Sequence, residues 1–223
     1  MVFQTLEIII LIWKMRGKST FFNKGKRTFA IVGDGDCEKW YFQLLKDNEE
    51  LKINIFPQLL KKASLKKQYE YVKDQANTYD KVFWIVDYDV IAKESKEFKK
   101  GDEKRSDEFA RYYKELSTLD NVEILVVNTC FEYWLLLHFK YSKKNYRNCD
   151  ETGRDLKKKF PTYEKTEKFY KKNNADIYTS LKPNLSIAIE NAKRLGDFDI
   201  KDPNNPVCEI HKLFHEDGRF KVE

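Results

Sequence analysis

Cysteine is scarce. The four present, Cys37, Cys130, Cys149 and Cys208, are widely separated and form no CxxC pair, so neither the ligand spacing of a structural zinc site nor a disulfide framework is suggested. Reduced thiols and a cytoplasmic location are the expectation. Long apolar runs are also missing. The N-terminal stretch Leu6 to Trp13 is about eight residues long and carries Glu7, far short of the roughly 20 needed to span a bilayer, so no membrane partner is expected. A secretory signal is not expected either, because Lys14, Arg16 and Lys18 follow the apolar run instead of preceding it. Residues 1–26 read as a leader, and translation starting at Met15 would remove most of it. There is no GxxxxGK[ST] and no GxSxG, which excludes P-loop ATP hydrolysis and the hydrolase elbow. The cysteines have no pattern that nominates a nucleophile.

What is present describes a folded domain with a heavily ionised surface. Hydrophobic residues make up 41% and charged residues 35%, and 16 Phe and 13 Tyr are far too many for a disordered chain. At 223 residues a substantial core can be buried in one compact unit. The net charge of +6 is local: residues 140–172 hold 12 Lys+Arg against 5 Asp+Glu, a surplus of 7 that leaves the remainder at −1. Interleaved with Tyr141, Tyr146, Phe160, Tyr163, Phe169 and Tyr170, this segment has the composition to neutralise phosphates and stack bases. A solvated helical face is the plainer reading of the same run.

The periodicity predicts an α/β fold. Arg27 to Val32 is a short β-forming run stopped by Gly33-Asp34-Gly35. A helix follows from Cys37 to about Asn48, with Asp36 as its N-cap. Ile53 to Phe56 predicts a short strand ending at Pro57, and Ser64 caps a second helix. Val82 to Val86 is a continuous apolar run of the kind buried on both faces of a sheet. Ile91 to Arg105 is almost wholly charged, after which Phe109, Tyr112, Tyr113 and Leu116 restore a helical period. Val122 to Val127 closes a βαβαβαβ series, which predicts a central parallel sheet of four strands with right-handed crossovers. Beyond Asn128 the strand signal disappears. Phe131 to Phe139, a helix beginning near Pro183 and a last short helix after Pro206 predict a helical extension. The expected division is a leader over 1–26, an α/β core over 27–140, and a Lys-rich helical extension over 141–223 packed on that core.

In open parallel sheets, ligands bind at the carboxyl ends of the strands. Both acidic clusters fall there: Asp34 and Glu38 after the first strand, Asp87 and Asp89 after the buried VFWIV strand. If the two strands are neighbours, these four carboxylates converge. Such crowding calls for a cation, and hard oxygen ligands favour Mg²⁺ or Mn²⁺, which support phosphoryl transfer. Each cluster alone is an ordinary turn former; the pair in this order points to a metal site. Gly35 suits either reading, since it permits close backbone approach. Glu132, at a helix start beyond the fourth strand, is a further candidate ligand, or else a carboxylate favoured by free N–H groups there.

These residues also carry a resemblance. Ile31 to Phe42 (IVGDGDCEKWYF) resembles the first motif of RloB-type proteins and, more distantly, the Glu-Gly-x-x-x-Glu element of Toprim domains. VDYD at 86–89 is similar to the Toprim DxD motif. Asn128 to His138 (NTCFEYWLLLH) resembles the RloB Phe-Glu-x-Trp signature with its trailing His, and Tyr163-Glu164-Lys165 resembles a later family element. The resemblance implies a Toprim-like fold and a Mg²⁺- or Mn²⁺-dependent nuclease acting on DNA or RNA in bacterial anti-phage defence, often through abortive infection. Asp34, Glu38, Asp87 and Asp89 would be catalytic, Glu132 would join them on the metal, and Gly35, His138, Tyr163 and Lys165 would meet substrate, although a packed or hydrogen-bonded structural residue is the stronger reading of His138. An ABC- or AAA-type ATPase is the partner implied by analogy, and self-association is left open. One departure stands out: Asp34 occupies the place where Toprim enzymes carry Glu, which shortens its reach by roughly 1 Å and weakens the case for catalysis. A catalytically silent module that binds nucleic acid or docks on an ATPase is therefore the alternative.

Overall fold

The computed structural model describes residues 28–33, 35–51, 53–55, 63–97, 103–172 and 175–214. Asp34, the leader over 1–26, and the Phe56-Pro57 end of the second strand lie outside the described residues. A five-stranded sheet organises the rest in the order β2-β1-β3-β4-β5. The strands are β1 (Phe29–Val32), β2 (Ile53–Ile55), β3 (Lys81–Asp87), β4 (Val122–Asn128) and β5 (Val207–Cys208). The first four run parallel, with Val32 beside Trp84 and Asp87 beside Val127. β5 is antiparallel to β4. The expected parallel sheet of four strands is present, and the expectation of no strand beyond Asn128 is corrected by β5: two residues are too few to show an alternation, so it left no sequence signal.

Alternate residues of the central strands enter two cores, one on each face. Ile31, Phe83, Ile85, Leu125 and Val127 point to one side, and Ala30, Val32, Val82, Trp84, Val86, Ile124 and Val126 to the other. This is why VFWIV is apolar throughout. The second face is covered by α2 (Leu65–Gln75), α3 (Tyr88–Lys96) and α4 (Arg105–Leu116) through Val72, Ile91, Phe109 and Leu116. Ser64 caps α2 as its type predicts, its hydroxyl accepting from the Lys67 N–H at 3.4 Å. Helix α3 lies where the sequence turned charged, so two helices, not one, bridge β3 and β4.

The first face is covered by α1 (Asp36–Asn48), α5 (Glu132–Leu137), α6 (Cys149–Lys159), α7 (Glu167–Tyr170), α8 (Ile177–Leu181) and α9 (Leu185–Lys193). The C-terminal helices therefore share a core with α1. Each fully buried Leu or Phe there contributes about 1.5–3 kcal/mol; Tyr41, Phe42 and Leu45 of α1 have no exposed surface. Tyr146, Tyr163 and Tyr170 of the basic segment are buried in the same core, and Phe160 and Phe169 pack against it partly buried, so five of the six aromatics proposed for base stacking take part in packing. A buried carboxylate, Glu209, ties the closing 3-10 turn (Glu209–Phe214) to β4 by accepting the Val126 N–H at 2.9 Å. No helix among the described residues is long and apolar enough to cross a membrane.

Candidate metal and phosphate site

Three strand ends meet on one edge of the sheet. β1 and β3 are direct neighbours, the condition on which convergence of the two acidic clusters depended, and β4 flanks β3 on its other side. From β1 the chain turns through Gly35 into α1. Gly35, with φ −96° and ψ 142°, is the N-cap, and Asp36 is the first helical residue instead of the expected cap. Asp36 and Glu38 lie in the first turn, where exposed N–H groups favour negative charge. Glu38 is 4% exposed. Its carboxylate folds back over Gly35 so closely that a Cβ there would stand 2.6 Å from Glu38 Cδ, with Oε2 nearer still. Glycine at 35 is what leaves room for that carboxylate.

Asp87 is the last residue of β3, and Asp89 sits in the first turn of α3. Burial raises the Asp89 carboxyl above its usual range, opposed by backbone hydrogen bonds from Val90 and Cys149; Glu132 adds to the rise and Lys165 resists it. Its Oδ1 is buried with no hydrogen-bond partner. After β4 a cis Asn128–Thr129 peptide and Cys130 lead into α5, which opens on Glu132, 2% exposed.

Glu132 has contacts on both of its carboxylate oxygens. Its Oε1 accepts from Lys165 Nζ at 2.7 Å and from the Tyr163 hydroxyl at 3.2 Å. Tyr163 shares a second contact with the Tyr170 hydroxyl at 3.1 Å. Burial alone would lower the Lys165 ammonium, but the charge and hydrogen bond of Glu132 outweigh it and hold the group well above the usual lysine range. On the other side, Oε2 lies 3.1 Å from Cys130 Sγ and 2.9 Å from Cys149 Sγ. These two sulfurs form a disulfide, with Cα atoms 5.6 Å apart. The expectation of reduced, unpaired thiols is thus corrected for Cys130 and Cys149, whereas Cys37 and Cys208 remain buried and free. Among the described residues, Cys130, Glu132 and Cys149 are the His/Cys/Asp/Glu group whose ligand atoms all lie within 4.8 Å of one another.

Gly35, Cys37, Glu38, Asp87, Glu132 and Lys165 line one cavity of about 310 Å³. Asp89 lines an adjoining groove of about 960 Å³ with Lys93, Lys96, Arg147 and Asn148. The structure therefore brings Glu38, Asp87 and Glu132 around one space with Lys165, and sets Asp89 at the partition to the next. Glu38, Asp87 and Asp89 do not close to the 4.8 Å spacing of a tight cage. A Mg²⁺ or Mn²⁺ ion in this space would bind one or two of the carboxylates directly and reach the others only through water.

His138 is placed elsewhere. It is 1% exposed, its Nδ1 lies 3.0 Å from the Trp134 carbonyl, and its ring packs on Trp134. Burial pushes it down to about 4. It lines neither space and is packed in the core. Tyr163 is likewise buried and holds Glu132. Sequence reasoning missed Cys37, Cys130, Cys149 and Trp40 at this edge; nothing in the spacing of the cysteines announced them.

Comparison with known families gives a match to the family described as RloB-like protein over residues 29–216. No curated protein and no solved structure matches the chain. The matched span runs from β1 through the closing 3-10 turn and includes every described residue of both spaces, so the chain belongs to the RloB-like family.

Proposed function

We propose that this chain is a metal-dependent nuclease of Toprim type, using Mg²⁺ or Mn²⁺ held by Asp34, Glu38, Asp87, Asp89 and Glu132 to cut DNA or RNA phosphodiesters. The observation that carries the reading is the meeting of carboxylates from the ends of β1, β3 and β4 around one cavity with a lysine on its wall. The bound ion would supply an activated water and charge neutralisation for the departing oxygen. Lys165 adds a fixed positive charge beside Glu132 on the cavity wall, which would meet a phosphate oxygen entering there. Lys93, Lys96 and Arg147 line the adjoining groove together with Asp89, Glu94, Glu97 and Asp150, so the groove is of mixed charge and phosphate contacts there would fall on individual cations. A role in anti-phage defence beside an ATPase follows from the family resemblance.

The test is the Asp87→Ala, Asp89→Ala double variant, assayed on single- and double-stranded DNA and RNA with Mn²⁺. Loss of metal-dependent products with unfolding unchanged supports the reading; retained cleavage removes the site. A second reading is favoured by one observation, the Lys165–Glu132 pair at 2.7 Å, which already compensates this buried carboxylate without any ion. A silent nucleic-acid-binding module would then retain binding yet give no products from the native chain.

A further inference from the structure

We infer that Cys130 and Cys149 form a reversible redox site whose state decides what the Glu132 carboxylate accepts, and so how available it is to a cation. The consequence for a cation rests on the metal-site reading above; the redox couple does not. The bridge joins the turn after β4 to the start of α6, across 19 residues of chain, and both sulfurs lie against the same Glu132 oxygen. In the bridged form the two sulfurs stand 3.1 and 2.9 Å from Oε2, so in the dithiol form each S–H would have a charged acceptor close by. In the disulfide form neither sulfur carries a proton, so Oε2 loses two donors while Lys165 and Tyr163 still hold Oε1. Oxidation thus turns Oε2 toward whatever positive charge enters the cavity.

The chemistry balances as thiol–disulfide exchange with a small disulfide. Cys130 is enclosed, but Cys149 is only half-buried and lines the large groove, which gives a small molecule a path to its sulfur. Lys165 Nζ lies 3.8 Å and Glu132 Oε2 2.9 Å from Cys149 Sγ, and the thiolate is the reacting form of that sulfur. That thiolate attacks one sulfur of glutathione disulfide, and one glutathione thiolate leaves. Cys130 then attacks the mixed disulfide at Cys149, releases the second glutathione and closes the bridge. Two protein thiols are oxidised, two glutathione thiols are produced, and the reverse direction consumes two glutathione thiols.

The experiment uses the full chain equilibrated in glutathione buffers, with alkylation and peptide mapping to assign the bridge, and calorimetric titration of Mn²⁺ into each form. The expected result is a Cys130–Cys149 bridge that opens and closes with the buffer, Mn²⁺ binding about tenfold tighter to the oxidised form, and no redox dependence in Cys130→Ala, Cys149→Ala. A second readout needs no metal. Glu132→Gln removes the charged acceptor from the dithiol and should shift the equilibrium with glutathione several-fold toward the bridge. If neither form binds Mn²⁺ but Glu132→Gln shifts the equilibrium, the metal reading fails and the redox coupling to Glu132 stands. The inference is overturned if no buffer forms the bridge, if Glu132→Gln leaves the equilibrium unchanged, or if the reduced chain purifies with one zinc per molecule. It is equally overturned if both forms bind Mn²⁺ with the same affinity.

Discussion

Gly35→Ala isolates the geometry of the site from the stability of the fold. The backbone at Gly35 is extended, φ −96° and ψ 142°, so alanine meets no conformational barrier, and losing glycine at an N-cap costs about 1 kcal/mol or less. The new methyl would stand 2.6 Å from Glu38 Cδ and 2.9 Å from Oε1, where ordinary contact begins near 3.4 Å. Since the obstructing atoms are the end of a flexible side chain, the cheapest response is rotation of the Glu38 carboxylate out of its place, a movement on the order of 1 Å. The expected outcome is a folded protein that binds Mn²⁺ about tenfold or more weakly, equivalent to roughly 1.4 kcal/mol. Calorimetry of Gly35→Ala, Glu38→Ala and the double variant forms a cycle. The double variant should bind no worse than Glu38→Ala, because the methyl acts only through that carboxylate. Native Mn²⁺ affinity in Gly35→Ala, or full additivity in the cycle, would refute the reasoning.

Two further predictions address the buried charges. Lys165→Met leaves the Glu132 carboxylate, whose side chain is 3% exposed, without its cation. Because the lysine side chain is 60% exposed, the expected loss is discounted to about 1–3 kcal/mol. Added Mn²⁺ should recover more stability in this variant than in the native chain, seen as a larger rise in melting temperature; equal shifts would deny that Lys165 competes with the ion. His138 predicts a pH dependence. Its folded form resists protonation down to about 4, while the unfolded chain takes a proton near 6.5. Above 6.5 the residue therefore has no effect, and as pH falls from 6.5 toward 4 it removes stability, up to roughly 3 kcal/mol. Denaturant unfolding at several pH values should show that part of the slope missing from His138→Phe, whatever the absolute stability of the variant. An unchanged slope would mean that the ring is not held neutral.

Much of the fold was readable from residues 27–128, because strands covered on both faces must be continuously apolar, and VFWIV and VEILVV are. Asp87 at the end of β3 was readable for the same reason, since a polar residue follows at once where the apolar run stops; Glu38 and Glu132 lie in the first turns of the helices after β1 and β4 and are themselves buried. Helix α3 was not readable, since Lys93, Glu94 and Lys96 dominate it and Ile91 is among its few buried side chains. The basic segment misled in part. Tyr146, Tyr163 and Tyr170 serve the core while the lysines between them face solvent, and helical turns this short show no clear period.

The sequence by itself determined that this chain builds an α/β layer and that acidic groups end its strands, because burial and turn formation act within a few residues. The tertiary structure alone decided which of those groups meet. Strand order put β1 beside β3, the return of α6 against α5 joined Cys130 to Cys149, and the loop before α7 brought Lys165 onto Glu132 from 33 positions away. Those contacts arise from the packing of whole elements, and no local pattern of residue types encodes them.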